Sequence, residues 1–363
     1  MATQWRFTRG CGLCLIGTLL LTGFIDSAAA EQSGPFATLS PDGNLARYSP
    51  TTQATGSFKI RGSETMHPLL SRLSLEFQRR QPKVALDVRG GGSAQAITEF
   101  IQPPLSKTGN VMLSEDRASS FWLMATSREL FDSEIKQFVA EHGYEPTAIP
   151  VAVDAVALYV HKDNPIGGLT LDQVDAMFSI TRHRGYKTAI TQWGQLGLKD
   201  GWENATVQLY GRDRKSGTRA FFQEHALAGG EFAPTVHENP GTASVILSLS
   251  RDQLGIGYSG LGLQTSTVRV VPLAETPGMP FVTPSSRTVA DQTYPLRRVL
   301  YLYIDKSPKT PLPPAVQEFL TFVMSQEGQE AVVKAGFFPL PANQITKNTV
   351  ASGTPSNPSA IRR

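Results

Sequence analysis

The chain has 363 residues, of which 40% are hydrophobic and 18% are charged, a balance that permits one large or two medium-sized globular domains. It contains 34 Lys and Arg residues against 31 Asp and Glu residues, so its formal net charge is +3. This small excess argues against a nucleic-acid-binding protein, and we interpret the basic triplet Arg182-His183-Arg184 as a solvated loop.

Residues 1–30 have the organisation of a secretory signal peptide. Arginines near the start, including Arg6, precede an apolar run from 11 to 25, and residues 28–30 are all alanine. This pattern predicts export to the periplasm and cleavage before Glu31. The alternative is an uncleaved N-terminal anchor, for which the apolar run is short.

Both cysteines, Cys11 and Cys14, lie inside this predicted signal. The exported protein is therefore expected to contain no disulfide, no thiol nucleophile and no thiolate metal site. The six histidines are dispersed, and no pair has the spacing of helical metal ligands. We therefore expect neither a metal nor another cofactor.

The two ends of the exported chain lack hydrophobic periodicity. Residues 31–56 are rich in Ser, Pro, Gly, Thr and Gln, which is typical of a flexible leader. Residues 341–363 have a similar composition and are expected to form a loose tail.

Between these ends, strand-like runs alternate with amphipathic helical segments. Strands are predicted at 57–61 and 84–88, with a helix between them and a second helix over 96–101. The first of these helices has apolar residues at helical spacing: Leu69, Leu70, Leu73 and Phe77. Strands that alternate with helices of this length favour an α/β fold with parallel strands.

The second half repeats this alternation after a long strand-like run over 148–160, which we interpret as the chain crossing from one lobe to another. Shorter strands are expected at 207–210 and 254–258. A strand over 299–304 begins the return, and one helix is predicted over 314–334.

Three turns between a strand and a helix share a composition that suits anion binding. They are Gly62-Ser63-Glu64-Thr65-Met66, Gly90-Gly91-Gly92-Ser93-Ala94 and Lys215-Ser216-Gly217-Thr218. A helix N-terminus offers unpaired N–H groups and partial positive charge, while Ser and Thr add hydroxyl donors. Any one turn could equally be an ordinary helix cap, so the prediction depends on all three occurring together.

Arg212 lies four residues before Ser216, at the end of the strand predicted at 207–210. A guanidinium group can bind two oxygens of a phosphate at once. The alternative is that Arg212 is a surface residue in a loop that also contains Arg214 and Lys215. Arg214 and Lys215 could instead lie outside the binding site and steer anions towards it.

The order of these motifs resembles that of the periplasmic phosphate-binding proteins of phosphate ABC transporters. The most specific part is Arg212-x-x-x-Ser216-Gly217-Thr218, and the resemblance covers most of residues 57–340. Supporting segments lie at 125–130, 191–197, 255–258 and 325–329.

The resemblance implies a two-lobed α/β fold of the type II periplasmic binding protein class, with a ligand cleft between the lobes. Lobe 1 would comprise 57–155 and 265–340, and lobe 2 would comprise 156–264. It also implies a monomer that captures inorganic phosphate and delivers it to an inner-membrane ABC permease with its ATPase. The phosphate would be bound by these residues: Thr65, Met66, Ser93, Arg212, Ser216, Gly217 and Thr218, with Ser63 as a further possibility.

One position departs from the family pattern. Family members place an acidic residue after the strand that here ends at Ser127, where it accepts the proton of hydrogen phosphate, but this chain has Arg128. An arginine cannot accept a proton, so Arg128 either adds a positive donor or points away. Glu64, Asp154 and Asp213 are possible substitute acceptors, and a sulfate or molybdate binder remains an alternative.

Motifs of other functional classes do not fit the predicted elements. The segment Gly255–Gly260 matches G-x-G-x-x-G but leads towards a strand rather than into a helix, which argues against dinucleotide binding. A periplasmic phosphatase that uses a serine would need an activating base or metal beside it, and the sequence displays no such set. We therefore predict a binding protein rather than an enzyme.

Overall fold

The computed structural model of the protein describes residues 39–102, 122–263 and 265–345. Its strands are β1 (Gly56–Gly62), β2 (Val84–Gly91), β3 (Trp122–Thr126), β4 (Thr147–His161), β5 (Leu169–Thr170), β6 (Gln208–Arg212), β7 (His237–Asn239), β8 (Gly255–Gly260), β9 (Val268–Val271), β10 (Leu273–Ala274) and β11 (Arg297–Ile304). Its α-helices are α1 (His67–Gln78), α2 (Ser93–Ile101), α3 (Asp132–His142), α4 (Leu171–Phe178), α5 (Gly217–His225), α6 (Thr242–Leu249), α7 (Ser286–Ala290), α8 (Pro314–Val323) and α9 (Gln326–Lys334). A short 3₁₀ helix lies at Trp193–Leu196.

Nine strands form one sheet in the order β2-β1-β3-β11-β4-β8-β6-β7, with β9 also paired to β4. Strand β1 runs parallel to β2 and β3, and β6 runs parallel to β7 and β8. Strand β11 is antiparallel to β3 and β4, and β8 is antiparallel to β4. Helices connect the parallel strands, so the predicted α/β architecture is confirmed.

Strand β4 joins the two halves of this sheet. Its residues 147–155 pair with β11, and its residues 156–160 pair with β8. From Ile149 onwards every residue of the strand is buried, as expected of a central strand covered on both faces. Asp154 lies next to the point where the pairing changes from β11 to β8.

The core consists of two large hydrophobic clusters and a smaller one around Phe100 and Phe138. The first cluster contains the buried helix positions predicted from the sequence, Leu69, Leu70, Leu73 and Phe77, together with residues of β1, β11 and α8. The second contains the C-terminal half of β4, Trp193, Phe222 and Tyr258. Residues 268–296 also pack in the second cluster. Judged by its packing, the chain therefore returns to the first cluster at β11 rather than at residue 265.

Residues 39–55, which we call the N-terminal strap, are fixed to the body of the protein. The carboxylate of Glu318 is 2% exposed and accepts the backbone N–H groups of Thr51 (3.0 Å) and Thr52 (3.1 Å), the hydroxyl of Tyr48 (2.8 Å) and the hydroxyl of Thr51. The prediction of a flexible leader is therefore wrong for the strap, because composition does not reveal a binding partner far along the chain. The remainder of that segment, 31–38, and the predicted signal at 1–30 lie outside the described residues.

The C-terminal expectations also need correction. Residues 341–345 pack on the body, where Ile345 is buried and the Ala342 N–H donates to Asp42 (3.1 Å), while 346–363 lie outside the described residues. The helix predicted over 314–334 is two helices, because the Ser325 hydroxyl accepts the N–H of Gly328 (3.1 Å) and caps a new helix. Within the described ranges, no helix is both long enough and apolar enough for a membrane crossing.

Candidate functional site

Three helix starts meet at one buried point. Thr65 precedes α1, Ser93 opens α2, and Thr218 lies in the first turn of α5. The hydroxyl oxygens of Thr65 and Thr218 are 2.9 Å apart, and the hydroxyl oxygen of Ser93 lies 3.4 Å from that of Ser127. These four side chains, which we call the hydroxyl cluster, are each at most 8% exposed. The turns predicted to form a common anion site are therefore brought together.

Two glycines permit this close approach. A Cβ atom on Gly92 would lie 2.4 Å from the carbonyl oxygen of Lys215, and Gly92 has a φ of +101°. A Cβ atom on Gly217 would lie 2.5 Å from the Ser93 hydroxyl and 2.7 Å from that of Ser127. Glycine at both positions lets the second and third turns touch, and the Ala94 N–H donates to the Lys215 carbonyl (3.0 Å).

Arg212 ends β6 and points its guanidinium at the hydroxyl cluster. It is 1% exposed and donates to the Thr65 hydroxyl (3.3 Å) and to the Pro240 carbonyl (2.9 Å). Its buried Nε has no hydrogen bond partner among the described residues. Burial, and next the positive charge of Arg298, lower the pKa of Arg212 below its ordinary value. The predicted binding arginine thus lies in the site rather than on the surface.

A second arginine, which the sequence analysis missed, contacts the same cluster. Arg298 on β11 donates to the Thr218 hydroxyl (2.9 Å) and makes a buried ion pair with Asp154, with its Nη2 2.6 Å and its Nε 3.0 Å from Oδ2. The other carboxylate oxygen, Asp154 Oδ1, is buried without a hydrogen bond partner in the described part of the chain. Arg298 was missed because no local motif marks it and its strand, β11, is apolar beyond residue 298.

Ser127 is the other residue that was missed. Its hydroxyl faces Ser93, and its N–H donates to the Ser93 hydroxyl (3.3 Å). A signal was available, because Ser127 follows β3, and β3 is parallel to β1, which ends at the first turn. The carboxyl ends of parallel strands lie at one edge of a sheet, so a serine there is a reasonable candidate.

The hydroxyl cluster is suited to binding an anion rather than to covalent chemistry. Two guanidinium groups, those of Arg212 and Arg298, contact it, and the Asp154 carboxylate pairs with Arg298. The carboxylates of Glu64 and Asp213 also act on the charge of Arg212 but form no ion pair with it within the described residues. None of the four hydroxyls bonds to a histidine or a carboxylate within the described residues, so no base that could activate a serine is in place. The same residues contain no group of three His, Cys, Asp or Glu side chains that could hold a metal ion.

Comparison with known proteins agrees with this geometry. A family model described as a PBP superfamily domain matches residues 49–327. The phosphate-binding protein PstS of Pseudomonas aeruginosa is 41% identical over 319 residues, which cover 88% of this chain and 94% of that protein. The phosphate-binding protein PstS of Bacillus subtilis is 25% identical over 298 residues, covering 82% and 85%. The chain belongs to the PstS family of phosphate-binding proteins.

Solved structures support the same fold. A Clostridium perfringens substrate-binding protein with bound phosphate superimposes with a TM-score of 0.62 at 22% identity, over 78% of this chain and 100% of that one. A Vibrio cholerae phosphate transport receptor gives a TM-score of 0.58 at 19% identity, with the same coverage. The predicted two-lobed binding-protein fold and the prediction of a binding protein rather than an enzyme are thus confirmed.

The remaining predicted binding residues, Met66, Ser216 and Gly217, lie beside the hydroxyl cluster, and the Met66 N–H and the Ser216 hydroxyl are already paired. The Met66 N–H donates to the Ser63 hydroxyl (3.4 Å). The Ser216 hydroxyl caps α5, where it accepts the N–H groups of Thr218 (3.1 Å) and Arg219 (3.3 Å). In this arrangement they position the turns, while Thr65, Ser93 and Thr218 line the point where the turns meet.

Arg128, at the position that departs from the family pattern, is turned towards α3. Its two terminal nitrogens each lie 2.7 Å from an oxygen of Glu134, and its guanidinium carbon is 3.9 Å from the ring centre of Phe131. Among the possible substitute acceptors, Glu64 is exposed and accepts the N–H of Gly91 (3.3 Å). Asp213 is half-buried, and its backbone carbonyl accepts the N–H of Ser216 (3.1 Å). Asp154 is the buried one of the three, and Arg298 links it to the cluster by contacting both Asp154 and Thr218.

Proposed function

We propose that this protein captures inorganic phosphate at the hydroxyl cluster and delivers it to an ABC transporter. The observation that carries the proposal is a buried set of hydroxyls and guanidinium groups in which Arg212 Nε, like the adjoining Asp154 Oδ1, lacks a partner within the described chain. Buried polar groups are nearly always paired, so an unpaired donor beside a second guanidinium group favours a bound anion.

The proposed binding residues are those expected from the sequence, extended by Ser127. The hydroxyls surround the anion together with the N–H of Gly217, the first-turn amide of α5 that Ser216 does not cap, and Arg212 supplies a charge-assisted grip. Micromolar affinity requires about −8 kcal/mol. Hydrogen bonds to a charged group contribute about 1.5–3 kcal/mol each, so several of them in a dehydrated site reach this value.

Capture would proceed by closure of two lobes that follow the two hydrophobic clusters. Thr65 and Ser93 come from helices on the β1–β3 side of the sheet, whereas Arg212 and Thr218 belong to the side that packs in the second cluster. We place the hinge in β4 and β11, and assign residues 265–296 to the second lobe. A ligand that contacts both sides only when the lobes are closed shifts the equilibrium towards the closed state.

Selectivity for phosphate over sulfate is proposed to depend on Asp154. Its Oδ1 can accept a hydrogen bond, and hydrogen phosphate carries a proton that it can donate. Sulfate is fully ionised at neutral pH and would place a second anion against the carboxylate. Molybdate presents the same difficulty.

We further propose that the protein is exported and works with a membrane partner. Residues 1–30 would direct export and be removed, so that the protein acts as a monomer in the periplasm. An inner-membrane permease with its ATPase would receive the phosphate.

Isothermal titration calorimetry of the exported chain with phosphate, sulfate and molybdate tests the proposal. We expect micromolar or tighter binding of phosphate, weak binding of the other two, and a loss of at least about 100-fold in phosphate affinity for Arg212→Ala. Arg214→Ala is the matched control, because its side chain is 86% exposed and lies two residues away. Equal affinity for sulfate would contradict the phosphate assignment. Unchanged phosphate affinity in the Arg212→Ala variant would contradict the proposed binding site.

A further inference from the structure

We propose that Arg298 is a second anion-binding guanidinium, supplied from β11 at the centre of the sheet and oriented by Asp154. The inference rests on the proposed function and adds a residue to its site. Arg212 and Arg298 each donate to one member of the same hydroxyl pair, Arg212 to Thr65 and Arg298 to Thr218.

The contacts of Arg298 leave two of its donors available to a ligand. A guanidinium has five N–H groups, and the three hydrogen bonds of Arg298 use three of them, which leaves two. Those two have no partner within the described residues, although the side chain is 1% exposed. One terminal nitrogen bonds Asp154 and the other bonds Thr218, so each has one N–H left for a ligand at the cluster.

Arg212 and Arg298 also bring two positive charges to the same pair of hydroxyls. Arg212 and Arg298 are both buried, and Asp154 neutralises one of them. Two like charges that approach each other away from water repel strongly, which agrees with the effect of Arg298 on the pKa of Arg212. An anion held between the two guanidinium groups would relieve this repulsion.

The unpaired atoms of the Arg298–Asp154 pair favour a binding role over a purely structural one. An ion pair that only stabilises the fold is expected to have all its polar atoms paired, since unpaired buried charges are costly. The Arg298–Asp154 pair instead leaves Asp154 Oδ1 and two N–H groups without partners in the described chain. These free atoms adjoin the hydroxyl cluster, where the anion is proposed to bind.

The test must avoid leaving Asp154 as an unpaired buried charge, which would weaken anion binding whatever the role of Arg298. We therefore compare Asp154→Asn with the double variant Asp154→Asn/Arg298→Met, using titration calorimetry with inorganic phosphate. We expect the double variant to bind about 10- to 100-fold more weakly than the single variant, as for the loss of a charged hydrogen bond donor. Thermal unfolding without ligand shows whether both variants are folded.

Arg297→Met is the matched control. Arg297 is the preceding residue of the same strand, and its Nε donates to the carbonyl of Val289 (3.0 Å) rather than to the cluster. We expect its phosphate affinity to stay within about twofold of the unmodified protein. Equal affinities for the single and double Asp154 variants would overturn the role of Arg298. Failure of the unmodified protein to bind phosphate would instead reject the proposed function itself.

Discussion

The hydroxyl cluster and the pocket around Glu318 are both buried and polar, yet they differ in how completely their hydrogen bonds are made. Both oxygens of Glu318 accept hydrogen bonds from the N-terminal strap, and the neighbouring Gln81 pairs with Ala54 N–H, the Thr52 carbonyl and the Tyr48 hydroxyl. Beside the hydroxyl cluster, Asp154 Oδ1 and Arg212 Nε have no partner in the described chain.

This difference separates two uses of buried polar groups. Complete pairing around Glu318 fixes the strap in one position, since releasing it would leave several donors unpaired. Incomplete pairing at the cluster costs stability unless a ligand supplies the missing contacts. A substitution at Glu318 should therefore change unfolding without changing phosphate binding, and one at the cluster should do the reverse.

The largest effect is expected for Glu318→Ala. This change removes the acceptor of two backbone N–H groups and two hydroxyls, so we expect a loss of about 4 kcal/mol in the free energy of unfolding, measured by urea denaturation. Phosphate affinity at a temperature where the variant is folded should stay within about twofold of the original.

Two further variants keep this result interpretable. Glu330→Ala removes a carboxylate that is 41% exposed and lies 3.9 Å from Lys334, and should cost at most about 0.5 kcal/mol. Glu318→Gln preserves the shape of the side chain and should fold even where alanine does not. Equal stability of the Glu318 and Glu330 variants would show that the strap does not depend on this carboxylate.

The second-largest effect is expected at Gly217, beside the hydroxyl cluster. Unlike a substitution at Glu318, one at Gly217 should lower phosphate affinity more than it lowers stability. In Gly217→Ala the new methyl group would lie 2.5 Å from the Ser93 hydroxyl and 2.7 Å from that of Ser127, inside the proposed binding site. We expect phosphate affinity to fall about 100-fold, or about 2.7 kcal/mol. The free energy of unfolding should change less, because the shift that the methyl group imposes on the buried Ser93 and Ser127 side chains is partly offset by the higher helix propensity of alanine.

Gly167→Ala is the control for this experiment, since a Cβ atom there would meet nothing within 4 Å. Its phosphate affinity and stability should both remain close to those of the unmodified chain. A Gly217→Ala variant that bound phosphate normally would place the ligand away from the junction of the three turns.

The same comparison explains how far the sequence could predict this molecule. The third turn follows β6, which runs opposite to β1, so it meets the other two from the other half of the sheet. The first two turns were predictable as neighbours because each lies directly between a strand and a helix, and the parallel strands β1 and β2 bring their carboxyl ends to one edge. Arg298 was not, because its strand is antiparallel to its neighbours and arrives from residues far along the chain. Residue type and spacing reveal local structure, whereas the pairing of Arg298 with Asp154 depends on strand order.

The strap was mispredicted for a related reason. Its Ser, Pro and Thr residues are typical of flexible segments, and the partner that holds it, Glu318, is about 270 residues away in sequence. The direction of the Arg128 side chain also depends on a neighbouring residue, since Glu134 on α3 binds it and turns it away from the cluster. In each case a distant or neighbouring carboxylate determined the outcome, which composition alone does not indicate.

The smallest effect is expected for Tyr48→Phe, which tests whether complete pairing in the strap is itself stabilising. Its hydroxyl donates to Glu318 (2.8 Å) and accepts from Gln81 (3.0 Å), so its removal leaves two buried groups with one contact fewer each. We expect a loss of about 1 kcal/mol in the free energy of unfolding and no change in phosphate affinity. Tyr186→Phe, at a half-buried tyrosine whose hydroxyl has no hydrogen bond within the described residues, should have no measurable effect. If the two tyrosine variants were equally stable, the strap would be held by its backbone contacts to Glu318, and pairing of the last hydroxyl would add nothing.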